Sequence, residues 1–280
     1  MLSGFKTERT AAFVLTSSES KRLIAKAVAV LPQVQRALAT GRIVVANGTT
    51  NAFVAEELLG ERVQKERFAA GVICDGVFCV TLRETRTRPF ALVRGEITRA
   101  PWQELIKEFD SSDVFIKGAN ALDPDGNVGV LMSDLQAGTV GSFLGIATAR
   151  GAHIVVPVGL EKLIPSVRQA SLVCGICKFD WTLGSSVGMM PIIHATVISE
   201  IEALELLAGV KATQISAGGI GGSEGAVGLG VRGDETGVLK ALEVVKAIKG
   251  EPPVPAARRE CTADCPERCN WIERKPASGS

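Results

Sequence analysis

Ile43-Val44-Val45-Ala46-Asn47-Gly48-Thr49-Thr50-Asn51-Ala52-Phe53-Val54 is an apolar, β-branched run that breaks at a glycine and resumes as a helical pattern. Four consecutive apolar residues predict a strand buried on both faces, as in a parallel sheet. The pattern after Thr50, continuing to Leu58 and Leu59, predicts a helix that starts almost at the strand's end. Such a turn leaves several backbone N–H groups unpaired at the positive end of a helix, which suits a phosphate or carboxylate. The pattern returns at residues 128–149, where a strand-like run and a short loop lead to Gly138-Thr139-Val140-Gly141 and an apolar helix. Two such turns in one chain predict a ligand site.

Working outward, residues 113–116 and 154–158 are further apolar strands, and helical patterns lie between the strands. Alternation of this kind predicts an α/β fold: a mostly parallel, Rossmann-like sheet with helices on both faces, binding ligands beyond the carboxyl ends of its strands. Residues 19–31 read as an amphipathic helix with Ser17 and Ser18 as N-cap candidates, ended by Pro32, and a second helix stops at Gly41. Residues 68–98 hold short β-like runs separated by Asp75-Gly76 and by the charged residues 83–88, which predicts an antiparallel insertion. Residues 1–195 then form the main domain. Ser199-Glu200-Ile201-Glu202 is a capping-box signature, and the strand-like runs 213–217 and 226–231 flank the glycine-rich residues 218–225 before a helix at 235–249. Residues 196–250 are therefore expected to form a small α+β, ferredoxin-like subdomain. Residues 251–280 read as a Pro-rich linker and a cysteine-bearing tail.

The chain has 280 residues, a net charge of +1, 5% aromatic residues and no tyrosine. That balance gives no electrostatic or stacking argument for nucleic acid. No apolar run is long enough to span a membrane, and Lys6, Glu8 and Arg9 interrupt any signal-peptide pattern. A cytoplasmic protein is the expectation, with a homo-oligomer left open. Seven cysteines in such a chain point to thiols or metal rather than to a disulfide framework.

Neither Gly-Thr turn is a P-loop, since no Gly-Lys-Ser/Thr follows, and neither has dinucleotide G-x-G-x-x-G spacing. Gly48, Thr49, Thr50, Gly138, Thr139 and Gly141 are candidate ligand contacts, or the threonines simply cap helices. Lys117, at the end of the strand 113–116, is a candidate phosphate partner or nucleophilic amine. Asn120 and Asp123 are candidate partners for ligand hydroxyls, although Asp123-Pro124-Asp125-Gly126-Asn127 has turn chemistry throughout. Glu161 is a candidate acid, base or covalent carboxylate, or one half of an exposed ion pair with Lys162. Cys261, Cys265 and Cys269 are spaced C-x-x-x-C-x-x-x-C, and Cys174-Gly175-Ile176-Cys177 could supply a fourth thiolate for zinc or an iron–sulfur cluster. An unliganded tail is the alternative.

The order of these segments resembles the superfamily of ribose-5-phosphate isomerase, glucosamine-6-phosphate deaminase and the CoA-transferases. Gly48-Thr49-Thr50 is similar to the isomerase's phosphate loop. Residues 113–121 lie where that enzyme has a strand and Asp-Gly-Ala-Asp-Glu, and Gly138-Thr139-Val140-Gly141-Ser142-Phe143-Leu144 resembles its glycine run and following helix. The resemblance spans about residues 40–165 and implies the fold and the cleft. Lys117, Asn120 and Ala121 stand at the positions of the isomerase's acids, and Ile146 falls where its general base belongs. Isomerase chemistry therefore lacks its base. CoA-transferase chemistry would need a nucleophilic Glu, for which Glu161 is the candidate. The expected function is binding of a small anionic molecule, a sugar phosphate or CoA ester, with catalysis left open. The alternative is a zinc or iron–sulfur protein in which the α/β body is a scaffold.

Overall fold

The computed structural model describes residues 8–259 together with Cys261 and Cys269. The chain opens with strand β1 (Arg9–Leu15), helices α1 (Ser17–Ala29) and α2 (Pro32–Thr40), strand β2 (Arg42–Val45) and helix α3 (Thr49–Leu59). A hairpin of β3 (Gly71–Cys74) and β4 (Val77–Val80) precedes β5 (Phe90–Val93), β6 (Glu96–Ile97) and the short α4 (Trp102–Leu105). Then come β7 (Val114–Ile116), β8 (Ala121–Leu122), β9 (Val128–Met132), α5 (Gly138–Arg150) and β10 (His153–Pro157). The remainder is α6 (Val167–Val173), β11 (Gly188–Ile192), β12 (Thr196–Ile198), α7 (Glu200–Ala208), β13 (Lys211–Ala217), β14 (Val227–Gly233) and α8 (Glu235–Ile248). Among the described residues no helix is long and apolar enough to cross a membrane.

The fold is α/β with a mixed central sheet of six strands, ordered β12-β10-β7-β2-β5-β6. The first four strands run parallel, whereas β5 and β6 add to the edge antiparallel. Ile43, Val44, Val45, Val114, Phe115 and Ile116 are completely buried, as contiguous apolar runs in a parallel sheet covered on both faces must be. Phe115 of β7 stacks face to face on Phe143 of α5 and meets the edge of Trp102. That aromatic contact fixes where the N-terminus of α5 lies relative to the strand ends.

Three elements depart from the sequence expectation. Residues 90–93 do not stay within the insertion but join the central sheet as β5, because Ala91 and Leu92 are buried against β2. β9 does not belong to the parallel sheet either: the Asp123 turn folds the chain back, and β9 pairs antiparallel with β8 and β11. β1 carried no sequence signal strong enough to be read, yet it pairs with β14 along seven residues. It completes a three-stranded antiparallel sheet, β1-β14-β13, over which α7 and α8 pack.

Helix ends follow local chemistry. Pro32 occupies the first turn of α2, and the Ser199/Glu202 capping box opens α7 as its sequence implies. The cap of α1 is Thr16 rather than Ser17 or Ser18: Thr16 Oγ1 accepts from Glu19 N at 3.4 Å and Glu19 Oε2 accepts from Thr16 N at 2.9 Å. Three-residue spacing to Glu19 makes only Thr16 able to close that reciprocal pair. Glu19 also receives Lys249 Nζ and Gly250 N, both at 2.9 Å, tying α1 to the end of α8. Thr16→Ala is expected to remove about 1 kcal/mol, seen as a lower midpoint in chemical denaturation with an unchanged slope. An unaltered midpoint would mean that Glu19, not the cap, holds this junction.

Candidate functional site

A cavity of about 1170 Å³ opens at the carboxyl ends of β2 and β7. The turn before α3 forms one wall and the turn before α5 another; the β3–β4 hairpin and residues 83–89 form the far side. Of the residues singled out in the sequence, Gly48, Thr49, Thr50, Lys117, Asn120, Gly138 and Thr139 all line it. The two Gly-Thr turns, far apart in the chain, therefore face one space.

The start of α3 is built for approach by a polar ligand. Its N-cap is Gly48, and no side chain caps it. Gly48 N itself donates to Phe68 O at 2.8 Å, so the N–H groups left for a ligand belong to the first helical residues. Asn51 Nδ2 donates to Ala46 O at 2.7 Å, pinning the helix to the end of β2, while Asn51 Oδ1 has no partner. Asn51 is completely buried and does not line the cavity, and a Cβ on Gly118 would lie 3.3 Å from that oxygen, so the glycine lets the end of β7 pack closely on it. Thr50 is 2% exposed and its hydroxyl has no partner. A buried, unpaired hydroxyl is costly unless something else occupies it.

The second turn matches the first in lacking a cap. Ala137, the N-cap of α5, adopts the left-handed conformation with φ 61°, and no side chain bonds to the helix start. Gly141 lies outside the cavity and is exposed. A Cβ there would fall 2.5 Å from Ala137 Cβ, so its glycine serves the tight entry into α5. Asn120 lines the cavity with its carbonyl oxygen engaged, accepting from Leu131 N at 3.0 Å.

Two lysines form the floor. Lys117 Nζ donates to Gly118 O at 3.2 Å and Lys162 Nζ to Ala119 O at 3.1 Å, so the amines hang on successive carbonyls. Among the described residues neither has a carboxylate within ion-pair distance. Burial lowers the pKa of Lys117 to about 8, assisted by the neighbouring charge of Lys162. Burial likewise lowers that of Lys162 to about 8, with Lys21 adding to the shift and Glu161 and Glu200 opposing it. Both amines sit on the side of the cavity where the helix N-termini already make the field positive.

The far side is cationic as well. Asn47 Nδ2 donates to Thr87 O at 2.8 Å, holding residues 86–88 against the first Gly-Thr turn. Arg86 is half-buried; its guanidinium donates to Thr81 Oγ1 at 2.8 Å and Thr81 O at 2.6 Å. Burial depresses its pKa, and Arg83 and Arg259 push in the same direction. The acid among the lining residues is Asp134, 3.7 Å from Arg83. Sequence reading passed over Lys162 and Arg86. The charged run 83–88 was visible, but it was read as a spacer between the short strands of an antiparallel insertion.

Asp123 and Glu161 are not brought into the cleft. Asp123 is buried beneath its own turn, accepting from Asn127 N at 2.9 Å, Val167 N at 2.9 Å and Asp125 N at 3.2 Å. Burial alone would raise its pKa, yet these donors hold it below the usual carboxylate value. It fastens the β8–β9 turn to the start of α6. Glu161 pairs with Lys21 at 3.0 Å, with both side chains largely buried. Burial opposes its ionisation, but Lys21 and Lys162 outweigh it and keep the carboxylate charged. Behind it Glu200 is fully buried, accepts from Leu160 N at 2.8 Å through one oxygen and has a pKa raised by burial.

Of the proposed metal ligands, Cys265 lies outside the described residues. Cys261 Sγ accepts from the Arg258 guanidinium at 3.1 Å, and Gly184 N donates to Cys269 Sγ at 3.1 Å. Among the described residues no three His, Cys, Asp or Glu side chains are grouped to hold a metal ion. Burial raises the pKa of the Cys174 thiol, against a weaker effect of Lys178, which disfavours the thiolate that redox or metal chemistry requires. The cleft, by contrast, joins two uncapped helix N-termini, two lysines without carboxylate partners and a half-buried arginine. No protein-family model, curated protein or solved structure matches this chain, so the meaning of the site rests on that geometry.

Proposed function

We propose that this protein binds a small anionic molecule, a sugar phosphate or CoA ester, in the cleft between the N-termini of α3 and α5. The observation that carries the reading is the pair Lys117 and Lys162, both lining the cavity, each donating to a backbone carbonyl and, among the described residues, without a carboxylate at ion-pair distance. Burying like charges together is unfavourable unless an anion joins them. The uncapped helix starts and the unpartnered Thr50 hydroxyl would supply the directional contacts. In this reading the parallel strands form a Rossmann-like sheet of the ribose-5-phosphate isomerase and CoA-transferase kind, and the β1-β14-β13 sheet with α7 and α8 stands for the smaller ferredoxin-like subdomain. The acids of the isomerase are replaced by cations and amides, so proton abstraction by a cleft carboxylate is not part of the proposal.

Thermal shift against inorganic phosphate, sugar phosphates and acyl-CoA tests it. Thr50→Val, which keeps the shape and removes the hydroxyl, is expected to weaken the anion that shifts the wild type by about tenfold, the range of a hydrogen bond to a charged group. Without ligand the variant should be as stable as the wild type or more so, because it removes an unsatisfied buried oxygen. If no anion of these classes raises the melting temperature, or if Thr50→Val leaves the shift intact, the cleft is not the anion site.

A further inference from the structure

We infer that Lys117 is a covalent nucleophile, forming an iminium with the carbonyl group of an anionic aldehyde or ketone held by the two helix N-termini, with Lys162 as the proton donor. The inference rests on the anion-binding reading above and adds a bond-forming step to it. A phosphate needs a cation but does not need two amines on consecutive carbonyls; one lysine and the helix ends would serve. The second amine has a distinct consequence. Burial and that neighbouring charge both disfavour protonation of Lys117, so a larger share of the Nζ amines carries a free lone pair than for an exposed lysine. Lys117 is suited to be the nucleophile because it stands at the carboxyl end of β7, in the cavity bounded by Thr49 and Thr139. Lys162 lines the same cavity, and unlike Lys117 it has carboxylates, Glu161 and Glu200, whose charge favours its protonated form. It is therefore the amine suited to supply a proton.

The chemistry balances with these groups alone. The Nζ lone pair of Lys117 adds to the carbonyl carbon, and a proton passes from that nitrogen to the oxygen to give a neutral carbinolamine. Nitrogen then expels the hydroxyl as water, with the proton for the leaving oxygen supplied by the Lys162 ammonium, which is left as a neutral amine. The sum is amine, carbonyl and the Lys162 proton giving iminium, water and neutral Lys162. No oxidant or reductant is consumed. An iminium so formed withdraws electrons from the adjacent carbon, which places the substrate among phosphorylated or carboxylated aldehydes and ketones rather than among acyl esters.

The full-length protein treated with pyridoxal 5′-phosphate, used as an aldehyde-bearing phosphate probe, then with borohydride, and mapped by peptide mass spectrometry tests this. The expected result is about one label per chain, on Lys117, suppressed by inorganic phosphate and much weaker with pyridoxal lacking the phosphate. Lys117→Arg should lose the label. Should that variant fail to fold, Lys162→Met gives a second reading: Lys117 labelling at pH 7 should slow by about threefold or more, and its pH midpoint should rise, as the neighbouring charge is removed. Phosphate stabilisation together with labels scattered over surface lysines, or centred on Lys162, would overturn the imine and leave the anion site standing. Neither stabilisation by phosphate nor labelling in the cleft would overturn both.

Discussion

Lys117→Met is expected to weaken binding of the stabilising anion by roughly thirtyfold or more while leaving the unliganded protein at least as stable as the wild type at neutral pH. The binding loss follows from removing one member of a desolvated charge contact, about 2–5 kcal/mol. The stability gain has the opposite origin. Without a bound anion Lys117 and Lys162 repel, each donating to a backbone carbonyl. Methionine keeps the length and apolar stem of the lysine and discards the charge, so about 1 kcal/mol of unfavourable interaction is relieved. Isothermal titration calorimetry paired with denaturant melts separates the two effects. A variant that binds as tightly as the wild type would place the anion elsewhere, and one that binds weakly only because it is unfolded would show it in the melts.

The same lysines fix the sign of the pH response. Their pKa values are about 8 in the folded protein, below the ordinary 10.5. Under about pH 8 both folded and unfolded chains carry the protons, and the penalty for burying them is fully present. Between about 8 and 10.5 the unfolded chain binds more protons than the native one, so stability contributed by these groups rises with pH. An anion reverses the preference because it favours the charged amines. Affinity is therefore expected to be flat below about pH 8 and to fall above it, while the melting temperature of the empty protein gains from the same titration. Calorimetric titrations across pH 7 to 10, with melts of the free protein alongside, provide the check; parallel rather than opposed trends would exclude the lysine pair as the cause.

What could be read in the chain was what sequence neighbours determine. The strand at Ile43, its Gly48 turn and the helix after it are contiguous, and a strand buried on both faces must show as an unbroken apolar run. Both Gly-Thr turns line one cleft, but the alternation that suggested it was misleading for the second, since β9 before it pairs antiparallel with β8 and β11 outside the central sheet. Lys162 was not legible, because what distinguishes it is the lack, among the described residues, of a carboxylate at ion-pair distance, and Glu161 beside it in the chain turns instead to Lys21. Asp123 was assigned to a ligand although its own turn supplied the donors; a carboxylate followed by Pro-Asp-Gly-Asn is occupied before any ligand arrives. β1 was invisible because its pattern is only half-buried and its partner strand, β14, lies near the other end of the chain.

Arg22→Ala is expected to destabilise the protein by about 3 kcal/mol, at the lower end of the range for breaking a buried ion pair. Arg22, on α1, reaches Glu251 through Nε at 2.9 Å, Glu57 through Nη1 at 2.9 Å and Glu56 through Nη2 at 2.5 Å, and lies over the Phe53 ring. Glu56 would keep Lys65 at 2.6 Å and Val63 N at 2.9 Å, and Glu57 would keep Lys26 at 3.5 Å. Glu251 would lose its ion pair, which is why the cost does not vanish into the rest of the network. Arg22→Lys should recover only part of the loss, since an ammonium cannot reproduce a fork that reaches three carboxylates. Burial alone would raise the Glu56 pKa, but Lys65, the Val63 N–H and Arg22 hold it below the ordinary 4.5. Its contribution is therefore present above about pH 4.5 and lost as pH falls through the lowered folded value, so removing Arg22 should flatten the acid limb of the stability curve. The consequence for the cleft is indirect but specific. Glu251 begins residues 251–259, which run to Arg259, where the backbone N–H bonds Val80 O at 2.9 Å and the side chain lines the cavity. Arg22→Ala should thus lower anion affinity only a few-fold, through Arg259, against the much larger loss on Lys117→Met. Equal losses in the two variants would mean that the binding measured reports global stability rather than the cleft.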